Sequence, residues 1–225
     1  DKDVVDFLAV AFASIIVTVS YQDSNTRYVR VNKEIKPKDV SAKFKSKTLK
    51  MLERIRLLPN LIEKPDIKIA DTREITGFRD DCADVAITSP PYPNAYDYHL
   101  YHKHRMHWLE MDPLELKRSE IGSHAHYSKK NGFTAINFAD DMIKSFMEIS
   151  RILKKNKYFC IVIGDSIIKG KKIKNNELLK NISRKTPFHF ECEIKRDIQL
   201  SKKSFNPKIG NIKTERIMIF KNKKV

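Results

Sequence analysis

Glycine is scarce in this sequence. Six occur in 225 residues, at positions 77, 122, 132, 164, 170 and 210. No two stand close enough to build a glycine-rich loop, the device that lets backbone approach a bound cofactor without side chains in the way. Cysteine is nearly as rare. Cys82, Cys160 and Cys192 form an odd set with no CxxC pair, which argues against a disulfide framework and against a zinc knuckle. Free thiols fit a reducing, cytoplasmic setting, and no signal-peptide pattern is visible. Long apolar runs are missing too. The most apolar stretch, residues 7–19, is about 13 residues long, short of the roughly 20 that span a bilayer. No membrane partner is expected. Acidic residues are the last deficit: 28 Asp and Glu against 44 Lys and Arg give a net charge of +16. That excess points to a polyanion, nucleic acid or an anionic surface, unless it reflects a lysine-rich genome that places Lys on solvated faces. The first residue is Asp, and a natural start upstream of it is expected.

What is present is enough for a packed core. Hydrophobic residues make up 41% of the chain, and they fall in periodic blocks rather than in the scattered pattern of a disordered chain. Residues 6–19 read as an apolar helix, with its β-branched content leaving a strand open. After the loop signal Ile35-Lys36-Pro37, a helix starting near Asp39 or Ser41 places Phe44, Thr48, Met51, Leu52, Ile55 and Leu58 at helical spacing, and Pro59 closes it. Its basic face is either solvated or a phosphate contact. Residues 66–71 read as a short strand with an acid at its carboxyl end. Residues 84–88 read as a buried strand, 133–153 as a long amphipathic helix, and 157–164 as a central parallel strand. A short helix over 176–184 and closing strands over 188–200 and 215–220 follow. Strand and helix alternate, so the fold class is α/β. The expected domains are an N-terminal helical segment, residues 1–60, and a catalytic portion, residues 61–225.

The chemistry sits in Thr88-Ser89-Pro90-Pro91-Tyr92, directly after a predicted strand. Ligands of open α/β sheets lie beyond the carboxyl ends of strands. Two prolines fix the backbone and remove two donors, so nearby carbonyls are held as rigid acceptors. A Ser hydroxyl before them accepts as well, and a Tyr after them offers a flat π face. The arrangement suits a planar group with an exocyclic NH2.

TSPPY in this setting resembles the catalytic motif of amino-group DNA methyltransferases that use S-adenosyl-L-methionine, and Ser in first place resembles the cytosine-N4 class. The acid-ended strand, residues 67–71, the Asn94-Ala95-Tyr96-Asp97-Tyr98 stretch, the helix ending Arg151-Ile152-Leu153-Lys154 and the strand ending Gly164-Asp165 extend the likeness over roughly residues 66–220. The resemblance implies a Rossmann-like class I methyltransferase sheet. It implies direct methyl transfer to cytosine N4 in double-stranded DNA, as in restriction–modification, with the target base extruded from the duplex. Ser89 and the Pro90 carbonyl would accept bonds from the amino group. Pro91 would stiffen the turn, and Tyr92 would stack on the base. Thr88 and Asp71 would lie near the cofactor, although an acid after a strand is also a common helix cap. Adenine-N6 methylation, guanine-N2 methylation of RNA, and a non-catalytic nucleic-acid-binding remnant are the alternatives. The resemblance breaks at the FxGxG cofactor loop, which has no counterpart here. In such a sheet two strands stand between those ending at Asp71 and Thr88, and residues 1–65 do not supply both. The sheet is therefore expected to be incomplete, its cofactor half lying before Asp1 or on a companion subunit.

His99, His102, His104 and His107, with His124 and His126 nearby, form a dense histidine stretch. The spacing lacks HExxH, and four ligands on one short helix do not converge, so no metal site is expected. The stretch reads either as a DNA-facing segment with Tyr96, Tyr98, Tyr101, Arg105 and Trp108, or as plain packing. Residues 109–132 and 170–184 are candidate recognition loops.

Overall fold

A computed structural model of the chain describes residues 1–24, 29–59, 65–75, 77–128, 132–197 and 214–224. The chain divides into two compact units, Asp1–Ile67 with Tyr98–Arg118, and Lys68–Asp97 with Ser119–Val225. The second segment of the first unit is an insertion that the expected single boundary at residue 60 does not contain.

The first unit is helical. Helix α1 (Lys2–Ile15) opens with the Asp1 carboxylate accepting from the Asp3 amide. Helix α2 (Pro37–Arg56) begins with proline at its first position, where no intrahelical N–H is needed, and with the Asp39 carboxylate accepting from the Lys36 amide at 3.0 Å. Helices α3 (Tyr98–Tyr101), α4 (Lys103–Trp108) and α5 (Pro113–Ser119) are short. Phe12 joins the elements, edge-on to Phe44 and to Trp108, and Arg105 Nε donates to the Ala13 carbonyl at 3.0 Å. Phe44, Thr48, Met51, Leu52 and Ile55 lie along α2 and none is buried, while Leu58 falls beyond its end at Arg56.

The second unit holds the sheet. Strand β1 (Ala83–Thr88) is followed by α6 (His124–Tyr127), α7 (Ala135–Ile152) and β2 (Leu153–Gly164). Then come the hairpin β3 (Ser166–Ile168) and β4 (Lys171–Ile173), α8 (Asn175–Ser183), β5 (Phe188–Asp197) and β6 (Thr214–Asn222). The strand order is β1-β2-β6-β5. Strands β1 and β2 are parallel, and β6 runs antiparallel between β2 and β5. A parallel strand–helix–strand unit extended by one reversed strand, β6, and by β5 beyond it makes a mixed α/β, Rossmann-like layer. Phe138, Met142 and Phe146 of α7 and Leu179 and Ile182 of α8 are buried in one cluster with Phe159, Ile161 and Ile163 of β2 and Met218 and Phe220 of β6. Alternation places Tyr158, Cys160 and Val162 on the other face of β2.

Two strand expectations are corrected. No strand forms over residues 66–70: Ile67 and Ile69 are 83% and 99% exposed, and Asp71 makes only an isolated bridge to Glu74. Two apolar residues among charged ones do not bury enough surface to hold a strand without a neighbour. Strand β1 does form, but as an edge rather than a buried strand. Among the described residues it pairs only with β2, and Val85 and Ile87 are 52% and 73% exposed. Within the candidate recognition segment 170–184, the short helix expected over 176–184 forms. The segment contains β4 and α8, and α8 buries Leu179 and Ile182 in the core.

Asn222 closes the far end of the sheet. Fully buried, it donates to the Ser150 and Leu153 carbonyls at 2.9 and 2.8 Å and accepts from the Ser150 hydroxyl at 2.8 Å. Asn222→Ala removes the partner of the Leu153 carbonyl and of the Ser150 hydroxyl, while the Ser150 carbonyl keeps Lys224 Nζ at 3.0 Å. At about 1–3 kcal/mol for each unsatisfied group, the variant is expected to lose about 2–4 kcal/mol of unfolding free energy in a denaturant titration.

Candidate functional site

Thr88 is the last residue of β1 and stands in register with Ile161 of β2. The chain then leaves the sheet through Ser89, Pro90, Pro91 and Tyr92, so the turn lies at the carboxyl end of a parallel pair. Ser89 is exposed, Pro90 and Pro93 are buried, and Pro91 and Tyr92 are half-buried. The turn is thus rooted on its prolines with Ser89 exposed. The Ala95 amide donates to the Tyr92 carbonyl at 3.1 Å, which closes a tight turn after the motif.

A second strip of chain holds that turn in place. The Asn94 amide donates to the Gly122 carbonyl at 2.9 Å, and the Asn94 side chain donates to the Ile167 carbonyl at 2.6 Å. Its other amide atom, Oδ1, lies 2.7 Å from Nδ1 of His124. Asn94 takes a left-handed backbone, φ 62°, which asparagine tolerates better than most residues. Gly122 is left-handed as well, φ 76°, and a Cβ there would lie in contact with Pro93 Cα at 3.4 Å. Buried Asp97 accepts from the Ser123 hydroxyl at 2.6 Å and from the Ala125 amide at 2.8 Å. These bonds tie residues 94–97 to residues 122–125. The Asp97→Ala variant is expected to raise amide exchange across residues 92–97 by an order of magnitude or more, a loss of charge-assisted bonds worth about 1.5–3 kcal/mol, with exchange in α7 unchanged.

Tyr92 is the best-anchored side chain of the motif. Its hydroxyl donates to Glu215 Oε1 at 2.9 Å, and Glu215 Oε2 accepts from Arg196 Nη2 at 2.5 Å. The ring packs against the hydrophobic cluster. Burial, the Glu215 bond and the Glu215 charge push the phenol well above its ordinary range, while hydrogen bonding from the Gly164 amide and the Ser89 hydroxyl opposes them. Glu215 reaches this point because β6 is antiparallel: its start pairs with Gly164, the end of β2. Gly164 itself is buried, and its carbonyl accepts from Asn175 Nδ2 at 2.8 Å. Asp165 pairs with Lys172 at 2.8 Å. Both residues stand at the end of β2.

Asp71 lies apart from the turn. Its carboxylate accepts from Arg73 Nε at 3.0 Å and Nη2 at 2.6 Å, and Arg73 Nη1 also donates to Asp141 at 2.9 Å. The Arg73 guanidinium holds the Asp71 carboxyl below its ordinary range. The neighbouring Glu148 carboxyl is likewise lowered, chiefly by Arg151, and it accepts from the Ile75 amide at 3.0 Å. A carboxyl depressed by folding contributes stability that is present above its unfolded value and is lost as pH falls through its folded value. Acidification below the ordinary carboxylate range is therefore expected to strip exchange protection from Ile75 before it touches β2, as measured by amide exchange.

Of the histidines, His99 is buried and His124 belongs to the turn's support. Among the described residues no group of three or more His, Cys, Asp and Glu side chains is placed to hold a metal. Glu215 and Ser123 take part in the site's hydrogen bonding without having been singled out from the sequence. Asn94 and Asp97 lie in the stretch noted after the motif; Glu215 has no local signal, being 123 residues from the tyrosine it binds.

These features define an α/β protein with a rigid Ser-Pro-Pro-Tyr turn at the carboxyl end of a parallel strand. No family model and no curated protein matches the chain. Among solved structures, it is similar to a protein of Thermus thermophilus provisionally named a DNA modification methylase. The identity is 18% over 70% of this chain and 53% of that one, with a TM-score of 0.42. The same Thermus protein complexed with S-adenosyl-L-methionine gives 16%, 70%, 53% and 0.41. A SAM-dependent methyltransferase of Methanosarcina mazei is 10% identical over 80% of this chain and 79% of its own, with a TM-score of 0.40. The chain spans about half the length of the Thermus protein. No described helix is long and apolar enough to cross a membrane.

Proposed function

We propose that this chain carries the base-accepting site of an S-adenosyl-L-methionine-dependent DNA methyltransferase acting on an exocyclic amino group, cytosine N4 first among the candidates. The observation that carries the reading is the Ser89–Tyr92 turn, held at the end of β1 with its serine exposed. The exposed Ser89 hydroxyl and the Pro90 carbonyl accept from the amino group, which turns the nitrogen lone pair toward the electrophile. Pro91 keeps the turn stiff, and the accessible part of the Tyr92 ring receives the extruded base. Catalysis of this kind is positioning and electrostatics. The +16 charge serves a DNA duplex through counterion release.

S-adenosyl-L-methionine, when bound, supplies the methyl group. The described residues fit the acceptor side of that chemistry but make no bed for the cofactor. The Asp71 carboxylate is engaged by Arg73, and the glycine nearest the turn, Gly122, faces Pro93. The bed is assigned to further polypeptide, upstream or in a companion subunit, that adds a strand to β1. The apolar, exposed Val85 and Ile87 on that edge support the assignment, since open edges of apolar strands are normally covered.

The test is to supply the chain with the flanking or companion polypeptide, incubate with plasmid DNA and S-adenosyl-L-methionine, and map the modified bases. N4-methylcytosine is the expected product. Methyl groups on adenine N6 alone would replace the cytosine assignment. Methylated tRNA guanine with unmodified DNA would replace DNA as substrate. Absence of methylation together with retained DNA affinity would leave a binding remnant. Calorimetry with S-adenosyl-L-methionine is expected to show no binding by the chain alone and binding once the further polypeptide is added.

A further inference from the structure

The chain leaves β2 at Gly164 and passes directly into the β3–β4 hairpin. This hairpin therefore stands at the same end of the sheet as the Ser89–Tyr92 turn, and the Asn94 side chain joins the two by donating to the Ile167 carbonyl at 2.6 Å. Its base is rooted. Ser166 and Ile168 are buried, and Asn175 Nδ2 donates to the Gly164 carbonyl and to Ser166 Oγ at 2.8 and 2.9 Å. Its tip is a two-residue turn with both residues left-handed, Lys169 at φ 48° and Gly170 at φ 77°, the form whose twist matches a hairpin. A Cβ on Gly170 would meet nothing within 4 Å among the described residues, so the tip stands clear. Residues 169, 171, 172 and 174 are all lysine. Two of them are engaged: Lys169 Nζ donates to the Gly132 carbonyl at 3.2 Å, and Lys172 pairs with Asp165 at 2.8 Å. Lys171 and Lys174 are exposed, and neither forms an ion pair among the described residues. Other lysines around this sheet are compensated, Lys154 and Lys157 by Asp84, and Lys180 by Glu177 and Glu193. The hairpin thus presents two uncompensated charges beside the turn. From Ile167 to the tip is about 7 Å of strand, about two base steps of a DNA strand at 3.4 Å each.

We propose that the β3–β4 hairpin is a clamp for the DNA backbone: Lys171 and Lys174 each neutralise a phosphate within a few nucleotides of the base seated at Ser89. The inference rests on the DNA amino-methylation reading and adds the backbone contact that the Ser-Pro-Pro-Tyr turn does not itself supply. Phosphate contacts fix register without reading sequence, so the clamp holds the strand while the base is out of the stack.

The test measures the affinity of the chain for an end-labelled DNA duplex by fluorescence anisotropy as salt is raised. Each phosphate contact contributes about 0.9 to the slope of log affinity against log salt. The double variant Lys171→Ala with Lys174→Ala is therefore expected to have a slope shallower by about 1.8. Between about 50 and 200 mM salt the wild type should lose about twelvefold more affinity than this variant does. Lys171→Arg with Lys174→Arg keeps both charges and is expected to keep the wild-type slope. Lys155→Ala with Lys223→Ala removes the same charge from exposed positions at the opposite end of the sheet and is expected to keep it too. Should the alanine pair fail to fold, the single variants Lys171→Gln and Lys174→Gln decide, each expected to lower the slope by about 0.9. A hairpin variant with the wild-type slope, an arginine pair that does not keep it, or an equal fall in the Lys155 and Lys223 pair would overturn the clamp while leaving DNA methylation standing. A wild-type chain with no salt-dependent affinity for the duplex would overturn DNA as the substrate and this inference together.

Discussion

Replacing Phe146 by alanine is expected to remove about 3–5 kcal/mol of stability, the range for truncating a buried aromatic. Phe146 is fully buried. Its ring stands edge-on to Phe159 of β2, Phe188 of β5 and Phe220 of β6, with centroids 5.2, 5.6 and 5.6 Å away. One α7 side chain therefore touches three of the four strands, and the cavity left by alanine cannot collapse without moving all of them. Domains of this size have about 5–15 kcal/mol in total, so the variant should melt far below the wild type in a thermal scan. A loss under about 1 kcal/mol would mean that α7 does not seat on the sheet as described.

The second large effect concerns chemistry. In the protein supplied with its cofactor-binding polypeptide, Ser89→Ala is expected to lower kcat/KM for DNA methylation by about a hundredfold or more, the scale on which removal of one well-placed hydrogen-bonding group acts. Its melting temperature should stay within a degree or two, because Ser89 is exposed. The contrast with Phe146→Ala is the point of the pair: one variant loses stability through packing, the other loses rate with the fold intact. Full activity in Ser89→Ala would remove the serine from the site and with it the proposed handling of the amino group.

How much of this was legible in the sequence depended on distance along the chain. The helix predicted over 133–153 forms as α7 because Phe138, Met142 and Phe146 recur on one face, and Thr134 with Asn137 caps its start. The apolar run 157–164 forms β2, with four more residues at its beginning. Both depend on patterns within a dozen positions. Residues 66–70 failed for the opposite reason. Their local pattern resembles a strand, but no neighbouring strand is present among the described residues, and a strand is a property of a pair. The exposed β1 edge has the same origin, since composition alone does not tell an edge from a centre. At the site, the Ser-Pro-Pro-Tyr turn was readable because its chemistry is contiguous. Glu215 was not, because its link to Tyr92 depends on which strand lies beside β2 and in which direction it runs.

That reversed strand also orders events in time. Synthesis proceeds from the amino terminus, and contacts of long sequence separation form late. Tyr92 leaves the ribosome early, with its turn and its support from residues 122–125 soon after, while Glu215 follows 123 residues behind it. Until then the phenol has no carboxylate to hold it and β2 has no partner on that side. The site is therefore finished only when β6 arrives, and a chain stopped short of that strand carries the whole motif yet lacks the bond that completes it.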